Sequence, residues 1–265
     1  MDAIIPVDTP EVNDDTPNET LRLRTDSITK STSIDESVIK SGDSIEPVVK
    51  TTHSSSGFDV EHVYHAFVAA LREPCNPVSS IGTQDYINGY RELIKFFDQL
   101  GRVFKFVKDD VVQKLDILQD FVDNDKNDPP HFDTIQRAID YETEHGLIQT
   151  NSENFSRTLL RLHRALLFIE EFLRGLSERP SSDSTVTIAT NAYDSTLYYH
   201  HGFLIRTTVK VGFRVLPSRK QLDDILFEGH KTDILEQYKT FIKTIKQIYD
   251  IVQAYYAEKK YLQLP

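Results

Sequence analysis

Between Arg157 and Leu176 the chain reads Arg-Thr-Leu-Leu-Arg-Leu-His-Arg-Ala-Leu-Leu-Phe-Ile-Glu-Glu-Phe-Leu-Arg-Gly-Leu. Leu159, Leu162, Leu166, Ile169, Leu173 and Leu176 recur at alternating steps of three and four, the stripe of a core-facing helix. At ~100° per residue, Arg157 and Arg161 fall nearly opposite that stripe, on a face shared with Phe168 and Phe172. A helix apolar on two faces is buried. This stretch therefore demands partners on both sides and places a pair of cations at the rim of something buried. Two arginines four apart repel, at ~0.2–0.5 kcal/mol. Neighbouring carboxylates or a bound anion cancel that cost, and the planar guanidinium fork suits phosphate. A solvated charged edge is the plainer alternative, and this helix alone does not decide between them.

Helical spacing continues on either side. It predicts helices over residues 58–71, 83–101, 103–122 and 132–145, then 153–176 for the central one. Further helices follow over 187–215, where a break is allowed, and over 218–227 and 232–260. The stops between them are Glu-Pro-Cys-Asn-Pro at 73–77, Gly101, the turn-rich Asp-Asn-Asp-Lys-Asn-Asp-Pro-Pro at 123–130, and Gly146. Val209–Val215 and Val186–Ile188 are β-branched but short and flanked by helical spacing, so no strand is assigned. The expectation is an all-α stack of about eight helices.

No Phe or Tyr precedes Phe58, and the leading residues are rich in Ser, Thr, Asp and Glu with scattered Pro. Such a segment cannot bury enough apolar area to offset chain entropy. Residues 1–56 are accordingly read as a disordered extension, and 57–265 as one folded domain. A formal net charge of −11 argues against nucleic acid as a partner. The single cysteine, Cys75, precludes an internal disulfide and fits a reducing compartment. No signal-peptide pattern opens the chain, and no window approaches the ~20 apolar residues of a membrane span. The expectation is a cytosolic protein.

Two departures from clean amphipathic pattern point to a site. In the helix over 103–122, Val103, Val107, Val111, Leu115, Ile117, Leu118 and Phe121 form the buried arc, yet Asp110 and Lys114 fall in its middle. Charged residues are rarely buried unless paired, and an acid four residues before a lysine is the favourable orientation. A structural ion pair and a snorkelling lysine remain open beside a functional role. Further on, His201 lies among Leu197, Leu204, Ile205 and Thr208 on an apolar stripe, with His200 at its edge. A satisfied core histidine is the bland alternative there. Taken with Arg157 and Arg161, these residues are most economically read as one inward polar cluster. The chain has no Cys-x-x-Cys, His-Glu-x-x-His, Gly-rich phosphate loop or Gly-x-Ser-x-Gly, and no Ser or Cys is presented as a nucleophile beside Asp110 and His201. Neither a metal, nor a cofactor, nor catalysis is expected.

Four segments standing in order carry a family resemblance: Lys-Asp-Asp-Val-Val-Gln-Lys-Leu at 108–115, Ser-Arg-Thr-Leu-Leu-Arg-Leu-His-Arg-Ala-Leu at 156–166, His-His-Gly-Phe at 200–203, and Tyr-Ala-Glu-Lys-Lys-Tyr-Leu-Gln-Leu-Pro at 256–265. With them the chain from Phe58 onward resembles the glycolipid transfer protein superfamily, in its ceramide-1-phosphate transfer branch. The resemblance implies a two-layer helical sandwich that carries one sphingolipid between membranes. It implies that Asp110 receives the ceramide amide N–H, that His201 binds the amide carbonyl, and that Lys114, Arg157 and Arg161 grip the phosphate. Sugar-binding members place a Trp at the position of Arg161 and an Asn at that of Lys114, and this sequence has no Trp. The lipid chains then require an apolar cleft, for which Val107, Phe121, Phe168, Phe172, Leu204 and Ile205 are the candidate walls. The expected partners are ceramide-1-phosphate or a related phosphosphingolipid and, transiently, membrane surfaces, with the protein a monomer. Phosphatidic acid as cargo and a binding role without bulk transfer remain open alternatives.

Overall fold

The computed structural model describes residues 57–73, 79–101, 104–150, 153–227 and 233–265, with the side chains at 233–235 and 237 also outside the description. Residues 1–56, the Pro-Cys-Asn-Pro stop at 74–77, Val103 and Thr232 lie outside the described residues. All eight expected segments carry helix, and no strand occurs among the described residues. In chain order the helices are α1 (Val60–Ala70), α2 (Thr83–Leu93), α3 (Lys95–Gln99), α4 (Lys105–Asn124), α5 (Ile135–Glu144), the single turn α6 (Leu147–Thr150) and α7 (Phe155–Glu178). They continue with α8 (Thr185–Ser195), a 3₁₀ turn (Leu197–His200), α9 (Phe203–Phe213), α10 (Arg219–Phe227) and α11 (Asp233–Glu258).

Local chemistry sets the boundaries. The Asp59 carboxylate accepts from the N–H groups of Glu61 and His62 and starts α1. Gly101 and Gly146 take positive φ (94° and 66°), the left-handed turn that stops a helix where the sequence placed those stops. The stretch at 83–101 divides at Ile94 into α2 and α3. The stretch at 187–215 is three elements rather than one helix, and that break matters for the site.

The central helix is α7, which packs against α11, α8, α4 and α5 in a two-layer helical sandwich. All six residues of its leucine-rich stripe are buried. Its His163 stacks on Tyr249 of α11 at 4.2 Å, while Phe168 lies edge-on to Tyr193 of α8 and stacks on Phe213 of α9. The two apolar faces thus meet different layers. Tyrosine hydroxyls from neighbouring helices donate to its carbonyls: Tyr90 of α2 to Leu162, and Tyr256 and Tyr238 of α11 to Ser156 (2.7 Å) and Leu173 (3.0 Å). Each of these phenols is fully buried, so each hydroxyl needs such an acceptor. At the far end, the Arg219 guanidinium donates to the carbonyls of Leu176 and Pro180, where α7 presents its negative pole.

Candidate functional site

The first half of the site is built on the N-terminus of α7. Glu142 at the end of α5 is 1% exposed, and its carboxylate accepts from the N–H of Phe155 (2.7 Å), the N–H of Ser156 (2.8 Å) and the Ser156 hydroxyl (2.6 Å). Asn154 caps the same turn, its side-chain oxygen accepting from the Arg157 N–H at 2.8 Å. Its amide nitrogen donates to the carbonyls of Leu147 and Ile148 in α6. The Ile148 carbonyl also accepts from Arg157 Nε at 3.1 Å. Arg157 is therefore held by its inner nitrogen, at 8% exposure, while its two Nη groups find no acceptor among the described residues. A buried guanidinium with terminal donors unspent is matched to an anion with two oxygens to offer.

Arg161, one turn on, is exposed and makes no hydrogen bond or ion pair among the described residues. The expected pair is thus split, one cation inside and one at the surface. Beside them stands Arg164, part of the quoted motif but not picked out from sequence. Its Nη2 donates to the carbonyls of Leu262 and Leu264, and burial followed by the charge of Arg161 lowers its pKa.

On α4, the Lys114 ammonium meets the Asp110 carboxylate at 2.5 Å. The reading that both sit in the middle of a buried arc needs correction for Asp110. The Lys114 side chain is 16% exposed, but that of Asp110 is 62% exposed. The arc leaves the core at this end of α4, as the half-buried Val107 one turn earlier also shows.

His201 does not lie on a continuous helical stripe, as its apolar neighbours implied. α8 ends at Ser195, and His201 follows the 3₁₀ turn in an extended conformation (φ −105°, ψ 140°) before α9 begins. The break is braced by Arg206, whose Nε donates to the Tyr198 carbonyl (2.9 Å) and whose guanidinium lies 3.9 Å from the centre of the Tyr198 ring. His201 Nδ1 is 2.9 Å from the hydroxyl of Tyr193 on α8, a partner that the sequence reading missed. Burial first, then His200, Arg206 and Lys114, push the His201 pKa down to about 4 against the opposing pull of Asp110. Asp110 and Lys114 of α4 are thus electrostatic neighbours of His201, which stands in the extended link before α9. Burial and then Arg164 also lower the pKa of His200.

The six candidate cleft residues part company. Phe168 and Phe172 stack on one another at 6.2 Å, with Phe213 beyond Phe168 and Phe96 beside Phe172, in an aromatic cluster that also contacts Tyr193. Val107 and Ile205 are half-buried. Phe121 packs instead with Phe132 (5.0 Å) and Phe155 (5.9 Å), at the α5 and α7 N-terminal end. Leu204 is 68% exposed, beside Phe203 at 83% and Tyr199 at 74%. The interruption of the helix re-aims α9, so a residue that a continuous helix would turn inward faces out.

A helical sandwich that buries Arg157 and sets the Asp110–Lys114 pair within electrostatic reach of His201 is the architecture of a lipid-transfer domain. The family described as Glycolipid transfer protein (GLTP) matches residues 81–228, and the chain belongs to that family. Among curated relatives, the ceramide-1-phosphate transfer protein of Danio rerio is 33% identical over 80% of this chain and 100% of its own length, and that of Rattus norvegicus is 33% identical over 68% and 86%. Among solved structures, the apo form of mouse ceramide-1-phosphate transfer protein superposes with a TM-score of 0.72 at 32% identity, covering 78% of this chain and 100% of that one. The human protein in complex with 12:0 ceramide-1-phosphate gives 0.71 at 28% identity, covering 79% and 100%.

Proposed function

We propose that this protein carries ceramide-1-phosphate between membranes, one molecule at a time and with no bond made or broken. The single observation that carries the reading is Arg157, buried, anchored through Nε, and with its four terminal N–H donors uncommitted among the described residues. A phosphate monoester of nearly two negative charges is the natural occupant of such a fork. Arg161 and Lys114 supply further cations, Asp110 accepts the sphingoid amide N–H, and His201 donates to the amide carbonyl. The three cations against one carboxylate favour a dianion. The relatives named for ceramide-1-phosphate, among them proteins a third identical, support the choice of cargo.

Loading requires the aromatic cluster of Phe168, Phe172 and Phe213 to part and admit the hydrocarbon chains between the layers. Tyr199, Phe203 and Leu204 form an outward apolar edge beside Arg206 and Lys210, suited to transient docking on a membrane surface. No described helix is long and apolar enough to cross a membrane. The working form is a cytosolic monomer whose transfer domain spans residues 57–265.

The test is transfer of fluorescent ceramide-1-phosphate between vesicles by the full chain. Losing one charge-assisted contact costs about 1.5–3 kcal/mol, so Arg161→Ala lowers lipid affinity roughly 10- to 100-fold. Because Arg161 is exposed, the same change leaves stability within about 0.5 kcal/mol. Unimpaired transfer by Arg161→Ala, or equal transfer of a neutral hexosylceramide, overturns the assignment.

A further inference from the structure

The contact between Tyr193 and His201 has a direction, and that direction bears on how a lipid is held. At 2.9 Å either atom is able to be the donor. If Nδ1 carried the proton, the phenol hydrogen would need a second acceptor. None is present among the described residues for a side chain that is 1% exposed. A buried hydroxyl left unsatisfied is the costly arrangement. If the phenol donates instead, both groups are satisfied, and the imidazole proton sits on Nε2. That nitrogen has no acceptor among the described residues and is free to meet a ligand.

We propose that Tyr193 is a positioning residue: its hydroxyl donates to His201 Nδ1, fixes the Nε2–H tautomer, and so presents a donor to the carbonyl of a bound lipid. The inference rests on the reading of His201 as the amide-binding group. With Nε2–H as donor and Asp110 as acceptor, the site matches an amide, which offers one C=O and one N–H. A phosphate-headed glycerolipid has no such N–H and leaves Asp110 unmatched. Burial raises the Tyr193 pKa to about 12 and lowers that of His201 to about 4, so a protonated phenol faces a neutral ring throughout the physiological range. The Tyr193 ring is itself held by edge contacts with Phe168, Phe213 and Tyr198, so the hydroxyl has little freedom to turn away. The groups that bias the ring electrostatically are His200, Arg206, Lys114 and Asp110. Three of these oppose a second proton, and Asp110 alone favours it.

The experiment is ¹⁵N NMR of the histidine rings in the lipid-free full chain, with Tyr193→Phe as the variant and His201→Ala to assign the signals. At neutral pH the expected His201 pattern is a protonated Nε2 and a bare Nδ1. In Tyr193→Phe the His201 titration midpoint moves up, because the hydrogen bond that favoured the unprotonated nitrogen is gone. The variant also retains ceramide-1-phosphate about two- to tenfold less well, the range of one lost hydrogen bond. A protonated Nδ1 in the parent protein, or an unchanged His201 titration midpoint and unchanged ceramide-1-phosphate retention in Tyr193→Phe, overturns the proposal. Should the parent not retain ceramide-1-phosphate, the cargo assignment fails, and the ring spectrum still decides the role of Tyr193.

Discussion

Glu142 is the lever by which the fold holds the phosphate-binding end of α7, and Glu142→Gln measures it. The carboxylate receives three donors, two of them backbone N–H groups of the first turn of α7, in a site with 1% exposure. Glutamine keeps one oxygen. Placed towards Ser156 it preserves two bonds, now neutral and roughly half as strong, and turns an NH₂ towards the Phe155 N–H. That buried donor then goes unsatisfied, at about 1–3 kcal/mol. Removing a negative charge from a helix N-terminus adds about 0.3–1 kcal/mol. The expected loss is about 2–4 kcal/mol, which for a domain of this size lowers Tm by roughly 5–15 °C. Thermal unfolding followed by circular dichroism reads the shift directly. A double-mutant cycle with Ser156→Ala should show coupling, since Glu142→Gln weakens and Ser156→Ala removes the same 2.6 Å bond. The functional arm follows from adjacency. Arg157 stands one residue beyond Ser156, so a loosened first turn weakens phosphate capture more than the stability loss alone explains. A Tm drop under about 2 °C, with additive single mutants, refutes this account of how α7 is anchored.

Three further outcomes are expected. Buried His163 has its pKa pushed down to about 4 from 6.5 and buried Glu170 has its raised to about 7 from 4.5, both chiefly by burial. For His163 the unfolded chain binds more protons between those values, so its contribution to stability is lost as pH falls from 6.5 towards 4. For Glu170 the folded chain binds more protons, so stability falls as pH rises from 4.5 to 7. Glu170→Gln should therefore match the parent below pH 4.5 and exceed it above pH 7 by up to about 3 kcal/mol, as urea melts across the range would reveal; no gain at high pH counts against it. Gly175→Ala should destabilise by about 1–3 kcal/mol, because its methyl would stand 2.6 Å from Ile188 Cγ2 where α7 meets α8; an unchanged melting temperature contradicts that. Removing residues 1–56 should leave vesicle transfer within about twofold, as expected of a segment too polar to form a core, and loss of folding or transfer in the truncated protein refutes it.

The helices were legible because periodicity is local. The stripe from Leu159 to Leu176 needed only the rotation per residue to be recognised, and all its members are buried. Asp110 and Lys114 were legible as a pair for the same reason, four residues being one turn. At 187–215 a break was allowed but its place was not fixed, for an equally local reason. Apolar residues recur on both sides of His201 at spacings that a helix tolerates, and the residue types at Leu197–His200 do not announce a 3₁₀ turn. That one break sends Leu204 outward and brings Nδ1 of His201 to the Tyr193 hydroxyl.

By itself the sequence determined that the domain is all-helical, that α7 is its axis, and which ionisable residues fall among apolar ones, since each follows from spacing along one segment. Tertiary structure alone decided that Arg157 is buried while Arg161 is exposed, although a helical wheel treats them alike. The difference comes from Ile148 and Glu142, contributed by other segments, which close over the first turn of α7 and reach no further along it. Tertiary structure likewise decided which nitrogen of His201 meets Tyr193, because that partner comes from across the gap and not from neighbours along the chain.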